Sequence, residues 1–386
     1  MQQPVSAFID QRKQDMVDLL RQVVDIYAPS SDAAGVTRVG DIFASRLRSL
    51  GFTVRRVEVP AYGAHVVADM SFPQAGPRVF LMGHIDTVEY SGDVSTRRLS
   101  INGNIAKGLG ALDMRGGIVS AIYGLEALLR SGENLAGSIR VFINSDEEPG
   151  SPSSRPLLPD LLKGVTAALI CEGGRPEGGM VVERKGCGIW RFKVTGKAAH
   201  AGAEPEKGAS AIRELIEKVR AAEDLKSGPT TLNCGLIRGG VAPYVVPDFA
   251  EAAIDIRVPN PAERQRIEAA LKEIASRTYV PGTSTVLEGQ FHRPPASSIK
   301  GTKALQDLAV KFGNALGTPV KFIPTGGVGD INNIVDAGVP ALDGLGPQGL
   351  GAHGIDEYIE LPTLFSKAKM IALLAGAILT GQFKPQ

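Results

Sequence analysis

Residues 81–88 read Leu-Met-Gly-His-Ile-Asp-Thr-Val, and this stretch decides how the whole chain is interpreted. The apolar run VFLMG suits a buried strand, yet it ends in His84 and Asp86. Residues two apart in a strand share a face, so both side chains lie together at the carboxyl end of the strand, where open α/β sheets bind ligands. Taken alone, such a pair is more often a structural hydrogen-bonded pair than a functional one, so the rest of the chain has to decide.

Other strand-like or glycine-rich runs also end in acidic residues or in a histidine. These are Asp113 after KGLGAL, Asp146, Glu147 and Glu148 after RVFINS, Glu172 after AALIC, and His353 in GPQGLGAHG. Each has a structural alternative as a helix N-cap, a solvated turn or a loop residue. Together they bring histidines and carboxylates to one sheet edge, a set that suits a pair of zinc-like ions. Because clustered carboxylates repel one another unless cations lie between them, we predict a metal site in which Asp86 orients His84.

The apolar periodicity predicts an α/β fold, with a mostly parallel sheet and helices on both faces. Strands such as RVFLMGH, SIRVFINS and TAALICE alternate with helical stretches such as IVSAIYGLEALLRSG. From Cys187 to about Leu287 the order becomes β-α-β-β-α-β, typical of a ferredoxin-like α+β unit. We expect a catalytic metal domain made of residues 1–184 and 293–386, interrupted by an inserted domain of residues 185–292.

Composition limits the classes of partner. The 386 residues contain 42 Lys and Arg against 41 Asp and Glu, so no strong field attracts nucleic acid or anionic lipid. The N-terminal residues 1–22 lack the apolar core of a signal peptide, and we expect no membrane-spanning run. Cys171, Cys187 and Cys234 have no Cys-x-x-Cys spacing, which favours buried thiols in a reduced compartment. We therefore predict a cytoplasmic protein that acts on a small molecule.

Motifs of other enzyme classes do not fit. GLGALD at residues 108–113 has Asp in the last position of a dinucleotide-binding pattern and follows a poor strand. The sequence has no Gly-x-Ser-x-Gly elbow, no Walker loop and no His-Glu-x-x-His. A serine hydrolase would lack its nucleophile.

Seven short motifs resemble, in their order, the dizinc exopeptidases related to bacterial glutamate carboxypeptidases. They are GHIDTV, KGLGALDMRGG, NSDEEPGSPSSR, CEGG, TGKAAHAG, IDIR and GPQGLGAHGIDEY, and they span nearly the whole chain. The same family includes aminoacylases and desuccinylases. The resemblance implies that the inserted domain is a lid through which two subunits form a homodimer. It also implies a cis peptide bond between Asp113 and Met114.

The resemblance implies two divalent ions, zinc by preference, with cobalt or manganese as substitutes. Five side chains would hold them: His84 and Glu172 on one ion, Glu148 and His353 on the other, and Asp113 between the two. Glu147 would then be the general base and Asp86 the group that orients His84.

In the inserted domain the resemblance implies that His200 stabilises the oxyanion, often across the dimer. Arg257 would bind a substrate carboxylate in a pocket lined by Gly326 and Gly327, and Arg293 would reach the carboxylate of a glutamate side chain. Tyr244 stands where family members often carry Asn, which makes the substrate-binding end of the pocket different.

The predicted function is hydrolysis of the amide bond between an N-acyl or peptidyl group and a C-terminal amino acid, glutamate by preference. One alternative is an aminoacylase or dipeptidase with another amino-acid specificity. A second is a non-catalytic, metal-stabilised binding protein, against which the presence of Glu147 argues, because holding a metal does not require it.

Overall fold

The computed structural model describes residues 1–90, 92, 94 and 97–385. The chain forms two compact units. Unit 1 comprises Met1–Glu183, Ser298–Pro324 and Gly329–Gln386, and unit 2 comprises Arg184–Ser297 and Thr325–Val328. The segment 185–292, predicted as an inserted domain, lies within unit 2, which also includes residues 184, 293–297 and 325–328.

The helices are α1 (Gln2–Gln11), α2 (Lys13–Val24), α3 (Ala33–Ser49), α4 (Gly116–Leu129), α5 (Leu158–Leu161), α6 (Ala211–Glu223), α7 (Pro261–Ser276), α8 (Thr302–Ala315), α9 (Ile331–Asp336) and α10 (Leu361–Leu379). The strands are β1 (Thr53–Val57), β2 (His65–Ser71), β3 (Arg78–His84), β4 (Ser100–Asn102), β5 (Ile105–Lys107), β6 (Ser138–Asn144), β7 (Ala167–Ile170), β8 (Gly179–Arg184), β9 (Gly186–Thr195), β10 (Thr231–Gly239), β11 (Phe249–Val258), β12 (Ser284–Arg293), β13 (Lys321–Thr325), β14 (Ala341–Leu342), β15 (Gly349–Leu350) and β16 (Tyr358–Glu360). Short 3₁₀ turns lie at Arg155–Leu157, Pro176–Gly178 and Pro205–Lys207, and a π-type turn lies at Ala111–Arg115.

The central sheet of unit 1 has the order β1-β2-β6-β3-β7-β14 among the described residues. Strand β3 runs parallel to both β6 and β7, and β7 runs parallel to β14, whereas β2 pairs antiparallel with β1 and β6. Side chains along β3, β6 and β7 are largely buried, because helices cover the sheet. The structure confirms the predicted α/β class, with its mostly parallel sheet.

Pairing register brings the carboxyl ends of three strands to one edge. His84 at the end of β3 pairs with Asn144 at the end of β6, and Met82 pairs with Ile170 at the end of β7. The acidic residues that follow β6 and β7 in the sequence therefore start from the same edge as His84.

Helix α10 is long and apolar enough to cross a membrane by length and composition, although no such segment was expected from the sequence. Its most apolar window is 72% buried inside the structure. It packs against α4, which is also buried on nearly every side. The helix thus belongs to the core of unit 1.

A small sheet with the order β15-β16-β5-β4 carries the turn that holds His353. Antiparallel pairing of Tyr358 with Lys107 joins β16 to β5. Since β5 leads directly into the turn that contains Asp113, this pairing brings two distant parts of the sequence together.

Unit 2 has the β-α-β-β-α-β order predicted from the sequence, and its antiparallel sheet has the order β10-β11-β9-β12. Helices α6 and α7 cover one face of the sheet, and their first backbone N–H groups are capped by Ser210 and Asn260. The core between helices and sheet contains Trp190, Phe192 and Ile254. Strand β10 forms one edge of this sheet and exposes apolar side chains, Leu236 and Ile237 among them.

Candidate metal centre

Two groups of potential metal ligands share one carboxylate in unit 1. The first group is His84, Asp113 and Glu172, and the second is Asp113, Glu148 and His353. Within each group the ligand atoms all lie within 4.8 Å of one another. These are the five side chains predicted to hold metal, and the fold brings them together from five separate segments of the chain.

Asp113 divides its two oxygens between the groups. Its Oδ1 lies 3.1 Å from Nε2 of His84, and its Oδ2 lies 3.2 Å from Nε2 of His353. Nε2 of His353 is also 3.3 Å from Oε2 of Glu148, and Nε2 of His84 is 3.9 Å from Oε1 of Glu172. A carboxylate with a different imidazole at each oxygen is placed to bridge two ions.

These separations fit zinc-sized coordination. Histidine and carboxylate ligands lie about 2.0–2.2 Å from zinc, so two ligands of one ion are at most about 4.4 Å apart. The measured pairs of 3.1, 3.2, 3.3 and 3.9 Å satisfy that limit. Imidazole and carboxylate donors are also the ligand types that divalent zinc, cobalt and manganese accept.

The clustered carboxylates of the centre raise the pKa values of the groups beside them. Hydrogen bonds to Asp113 and Glu148 raise the pKa of His353 to about 10. Burial opposes a charge on His84, but its hydrogen bond to Asp113 helps to raise its pKa well above the usual range. Burial, together with the nearby charge of Asp113, raises the pKa of Glu172 well above that of an exposed glutamate. Divalent cations would satisfy the same surplus of negative charge, so the residues present fit a pair of metal ions.

Asp86 connects His84 to the acidic turn after β6. Nδ1 of His84 is 3.0 Å from the backbone oxygen of Asp86 and 3.3 Å from its Oδ1. The same carboxylate accepts the backbone N–H groups of Glu147 and Glu148, each at 3.2 Å, and the hydroxyl of Ser30 at 2.7 Å. Asp86 therefore lies where it can orient both the imidazole and the turn.

The peptide bond between Asp113 and Met114 is cis, as the resemblance implied. His353 has a φ of 65°, a left-handed backbone conformation that is uncommon for a residue other than glycine and is often found at functional sites.

The other predicted site residues, His200, Tyr244, Arg257, Arg293, Gly326 and Gly327, belong to unit 2. Arg257 and Arg293 flank Cys187, because strands β11 and β12 both pair with β9 at that residue. Cross-strand partners share a face of the sheet, so the two guanidinium groups start from the same side. Burial raises the pKa of the Cys187 thiol between them to about 12.

His200 has a defined tautomer in its turn. Its Nδ1 accepts the backbone N–H groups of Gly202 at 3.1 Å and Ala203 at 3.0 Å. A neutral ring with an accepting Nδ1 carries its proton on Nε2, so Nε2 is a hydrogen-bond donor. The backbone oxygen of Tyr244 accepts the N–H of Ala201, which sets Tyr244 beside the same turn.

Two site residues were not identified from the sequence. Asp255 forms a bidentate pair with Arg257, with contacts of 2.9 Å to Nε and 3.1 Å to Nη2. Glu357 is fully buried beside the Asp113 turn, and burial raises its pKa to about 7. Both lie inside motifs that were recognised, IDIR and HGIDEY, and an acidic residue two or four positions from a candidate site residue was the available signal.

Comparison with known proteins agrees with this geometry. Residues 80–377 match Peptidase family M20/M25/M40. Carboxypeptidase G2 of Pseudomonas sp. (strain RS-16) is 28% identical over 369 residues, which cover 93% of this chain and 88% of that protein. The aminopeptidase PepT structure from Bacillus cereus has a TM-score of 0.79 at 20% identity, covering 95% of this chain and 98% of that one. The Bacillus subtilis YXEP protein, described as a dinuclear metal binding peptidase, has a TM-score of 0.72 at 15% identity, covering 96% and 99% of the two chains.

The fold and the family match define the protein as a metal-dependent peptidase or amidohydrolase, an enzyme that acts on peptide or acyl-amino-acid substrates. The chain belongs to peptidase family M20/M25/M40. The resemblance recognised in the sequence is thereby confirmed.

Proposed function

We propose that the protein is a dinuclear zinc carboxypeptidase that releases a C-terminal amino acid, glutamate by preference, from N-acyl or peptidyl substrates. The observation that carries the proposal is the position of Asp113, whose two oxygens each face a different histidine at 3.1 and 3.2 Å. His84 and Glu172 would hold one ion, Glu148 and His353 the other, and cobalt or manganese could substitute for zinc. When bound, such a pair supplies Lewis acidity to the scissile carbonyl and lowers the pKa of a water molecule.

Glu147 is assigned as the general base. Its backbone N–H donates to Asp86, next to that of Glu148. Its charge also contributes to the raised pKa of Glu172, after burial, Asp113 and Asp343. In this role the Glu147 carboxylate takes a proton from the attacking water and passes it to the nitrogen of the leaving amino acid.

His200 is assigned to the oxyanion. Because two backbone N–H groups fix its Nδ1 as an acceptor, Nε2–H is available as a donor to a developing negative charge on the carbonyl oxygen. We further propose that the protein is a homodimer and that His200 serves the site of the partner subunit. Exposed apolar side chains on α6 and β10 support a dimer through unit 2, since Ile216 is 57% and Ile237 is 63% exposed.

Arg257 is assigned to the free carboxylate of the substrate. Asp255 occupies the Nε and Nη2 side of its guanidinium, so a substrate carboxylate would approach the side formed by Nη1 and the second Nη2 hydrogen. The neighbouring Arg293 would bind the side-chain carboxylate of glutamate, with Gly326, Gly327 and Tyr244 shaping the pocket. The three cysteines are free thiols, which supports the further proposal of a cytoplasmic location.

The test is hydrolysis of paired substrates by the purified enzyme. N-acyl-glutamate should be cleaved faster than N-acyl-leucine, activity should disappear with a chelator and return with zinc, and elemental analysis should find two ions per chain. Faster cleavage of the leucine compound would replace the glutamate assignment by an aminoacylase or dipeptidase. Two bound ions with no turnover on any substrate would favour the metal-stabilised binding protein.

A further inference from the structure

Glu357 is a buried carboxylate to which the catalytic scheme gives no role. Its Oε1 accepts the backbone N–H groups of Leu112 at 2.7 Å and Asp113 at 2.9 Å. Its Oε2 accepts the N–H of Gly110 at 2.9 Å and the hydroxyl of Tyr90 at 2.8 Å. One side chain therefore accepts three backbone N–H groups, those of Gly110, Leu112 and Asp113, in the turn that carries the shared ligand.

The backbone of Glu357 is fixed as firmly as its side chain. Its carbonyl oxygen accepts the N–H of Gly108 at 3.0 Å, and its own N–H donates to Gly354 at 3.2 Å. Gly354 in turn donates to Gly351 at 2.8 Å, which closes the turn that presents His353. Glu357 thus belongs to the segment of one ligand while it holds the segment of another.

We propose that Glu357 is a positioning residue that sets Oδ2 of Asp113 at 3.2 Å from Nε2 of His353, so that both atoms could hold one ion. This inference rests on the proposed function, because it concerns the same two-ion centre. It adds a site-selective requirement: the ion held by Glu148 and His353 depends on Glu357 more than the ion held by His84 and Glu172.

The selectivity follows from how the ligands are anchored. His84 ends β3 and is held by Asp86, while Glu172 follows β7, and neither contact involves Glu357. Only Asp113 is common to both ions. Loss of Glu357 therefore disturbs only Asp113 among the ligands of the first ion. For the second ion it disturbs the position of Asp113 relative to His353.

The carboxylate is required as such. Both of its oxygens accept, so an amide at this position would direct an N–H₂ group at a backbone N–H that needs an acceptor. Glu357→Gln consequently keeps the size of the side chain but breaks the fit. Tyr90→Phe is the milder variant, because it removes one donor and leaves the three backbone contacts.

The experiment measures zinc affinity on the metal-stripped full chain, by titration against a competing chelator, with cobalt absorption spectra to distinguish the two ions. His353→Ala identifies the signal of the second ion. Glu357→Gln should weaken that ion about 10- to 100-fold, the usual effect of removing a group that orients a ligand, and should weaken the first ion less. Tyr90→Phe should weaken the same ion by a smaller factor.

Glu214→Gln is the matched control. Glu214 is also buried and accepts two backbone N–H groups, of Tyr279 at 2.8 Å and Val280 at 2.7 Å, but it lies in unit 2. It should lower thermal stability without changing either zinc affinity, which separates positioning from a general loss of stability.

The outcomes are distinct. A wild-type chain that binds no pair of ions contradicts the proposed function itself. If the wild-type chain binds two ions and Glu357→Gln binds both with unchanged affinity, the positioning role alone is overturned. The same holds if Glu357→Gln weakens both ions equally. If Glu357→Gln does not fold, Tyr90→Phe decides, and an unchanged affinity for the second ion overturns the inference.

Discussion

Glu147 and Glu148 are neighbours in one turn, yet the structure gives them different surroundings. The backbone N–H groups of both donate to the carboxylate of Asp86 at 3.2 Å, so the turn is held through its backbone and not through either glutamate side chain. The carboxylate of Glu148 lies against His353, with Oε2 at 3.3 Å from Nε2. The two residues are chemically identical, so the proposed roles of ligand for Glu148 and general base for Glu147 rest on their different positions.

Replacing each of the two glutamates separates these roles. Glu147→Gln should retain two ions and lower kcat by on the order of 10²-fold or more, since positioned proton transfer contributes about 10² to 10⁴. Glu148→Gln should instead reduce the number of tightly bound ions. Elemental analysis and kcat on the same preparations check both expectations. Equal effects of the two substitutions would mean that the roles are wrongly divided.

Asp255 and Arg257 form an ion pair in unit 2. Asp255→Asn removes the charged partner that orients the guanidinium, so KM for a free-acid substrate should rise about tenfold with little change in kcat, the size expected for one charge-assisted hydrogen bond. Arg257→Ala should cost on the order of 10² or more in kcat/KM.

Glu288→Gln is the control for Asp255→Asn. It breaks an exposed ion pair with Lys193, 2.7 Å apart, on the same sheet and should leave KM unchanged. A substrate whose carboxylate is amidated should be insensitive to Asp255→Asn. If that substrate lost as much as the free acid, Asp255 would not act through carboxylate recognition.

Among the elements, α4 lies close to the end of β7, where Glu172 follows. Gly117 in the first turn of α4 packs on the carbonyl group of Cys171, and a Cβ at this position would lie 1.7 Å from that oxygen. The contact is with backbone, which no rotamer change can relieve. The helix can approach the strand end only because this residue is glycine.

Gly117→Ala should therefore displace the segment of Cys171 and Glu172, costing about 1 to 3 kcal/mol of stability and weakening zinc binding. Gly124→Ala on the same helix is the control, because its Cβ would lie 2.6 Å from the carbonyl oxygen of Ala368, between α4 and α10. It should lower the thermal midpoint without changing zinc affinity. Equal zinc affinities of the two variants would show that the α4 contact does not position Glu172.

The two edge strands of unit 2, β10 and β12, differ in how much apolar surface they expose. Strand β10 and helix α6 together expose Ile216, Leu236 and Ile237, the last at 63%. Strand β12 at the other edge exposes Val286, at 58%, as a single apolar side chain next to the Lys193 and Glu288 pair. A contiguous apolar edge is the more suitable dimer surface.

Ile237→Asp should convert a dimer into a monomer in light scattering, whereas Val286→Asp should not. In a second measurement, mixing inactive His200→Ala chains with inactive Glu147→Gln chains should restore part of the activity, because a mixed dimer has one site in which both residues are intact. Absence of recovery despite demonstrated subunit exchange would place His200 in the site of its own subunit. If the Ile237→Asp variant remained dimeric, the interface would lie elsewhere on the protein.

The main features of the fold and of the metal centre were predictable from local patterns. Apolar runs that end in His84 or precede Glu172 mark strands and their carboxyl ends, and the α/β class follows from the alternation of strands with helices. The length and apolar character of helix α10, which would suit a membrane span by composition, were not predicted from the sequence.

The sequence by itself determined the family, the order of strands and helices, and the polar residues that follow β3, β6 and β7 at one sheet edge, because these depend on neighbours within a few positions. Asp113 and His353, expected at that same edge, instead adjoin the small sheet that contains β5 and β16. Only the tertiary structure decided which groups orient them. Glu357 and Asp113 are hydrogen-bonded across 244 residues of sequence, and the pairing of β16 with β5 creates that contact. The apolar periodicity of a sequence does not show which distant residues come into contact. A buried carboxylate acquires its hydrogen-bond partners only when the chain has folded around it.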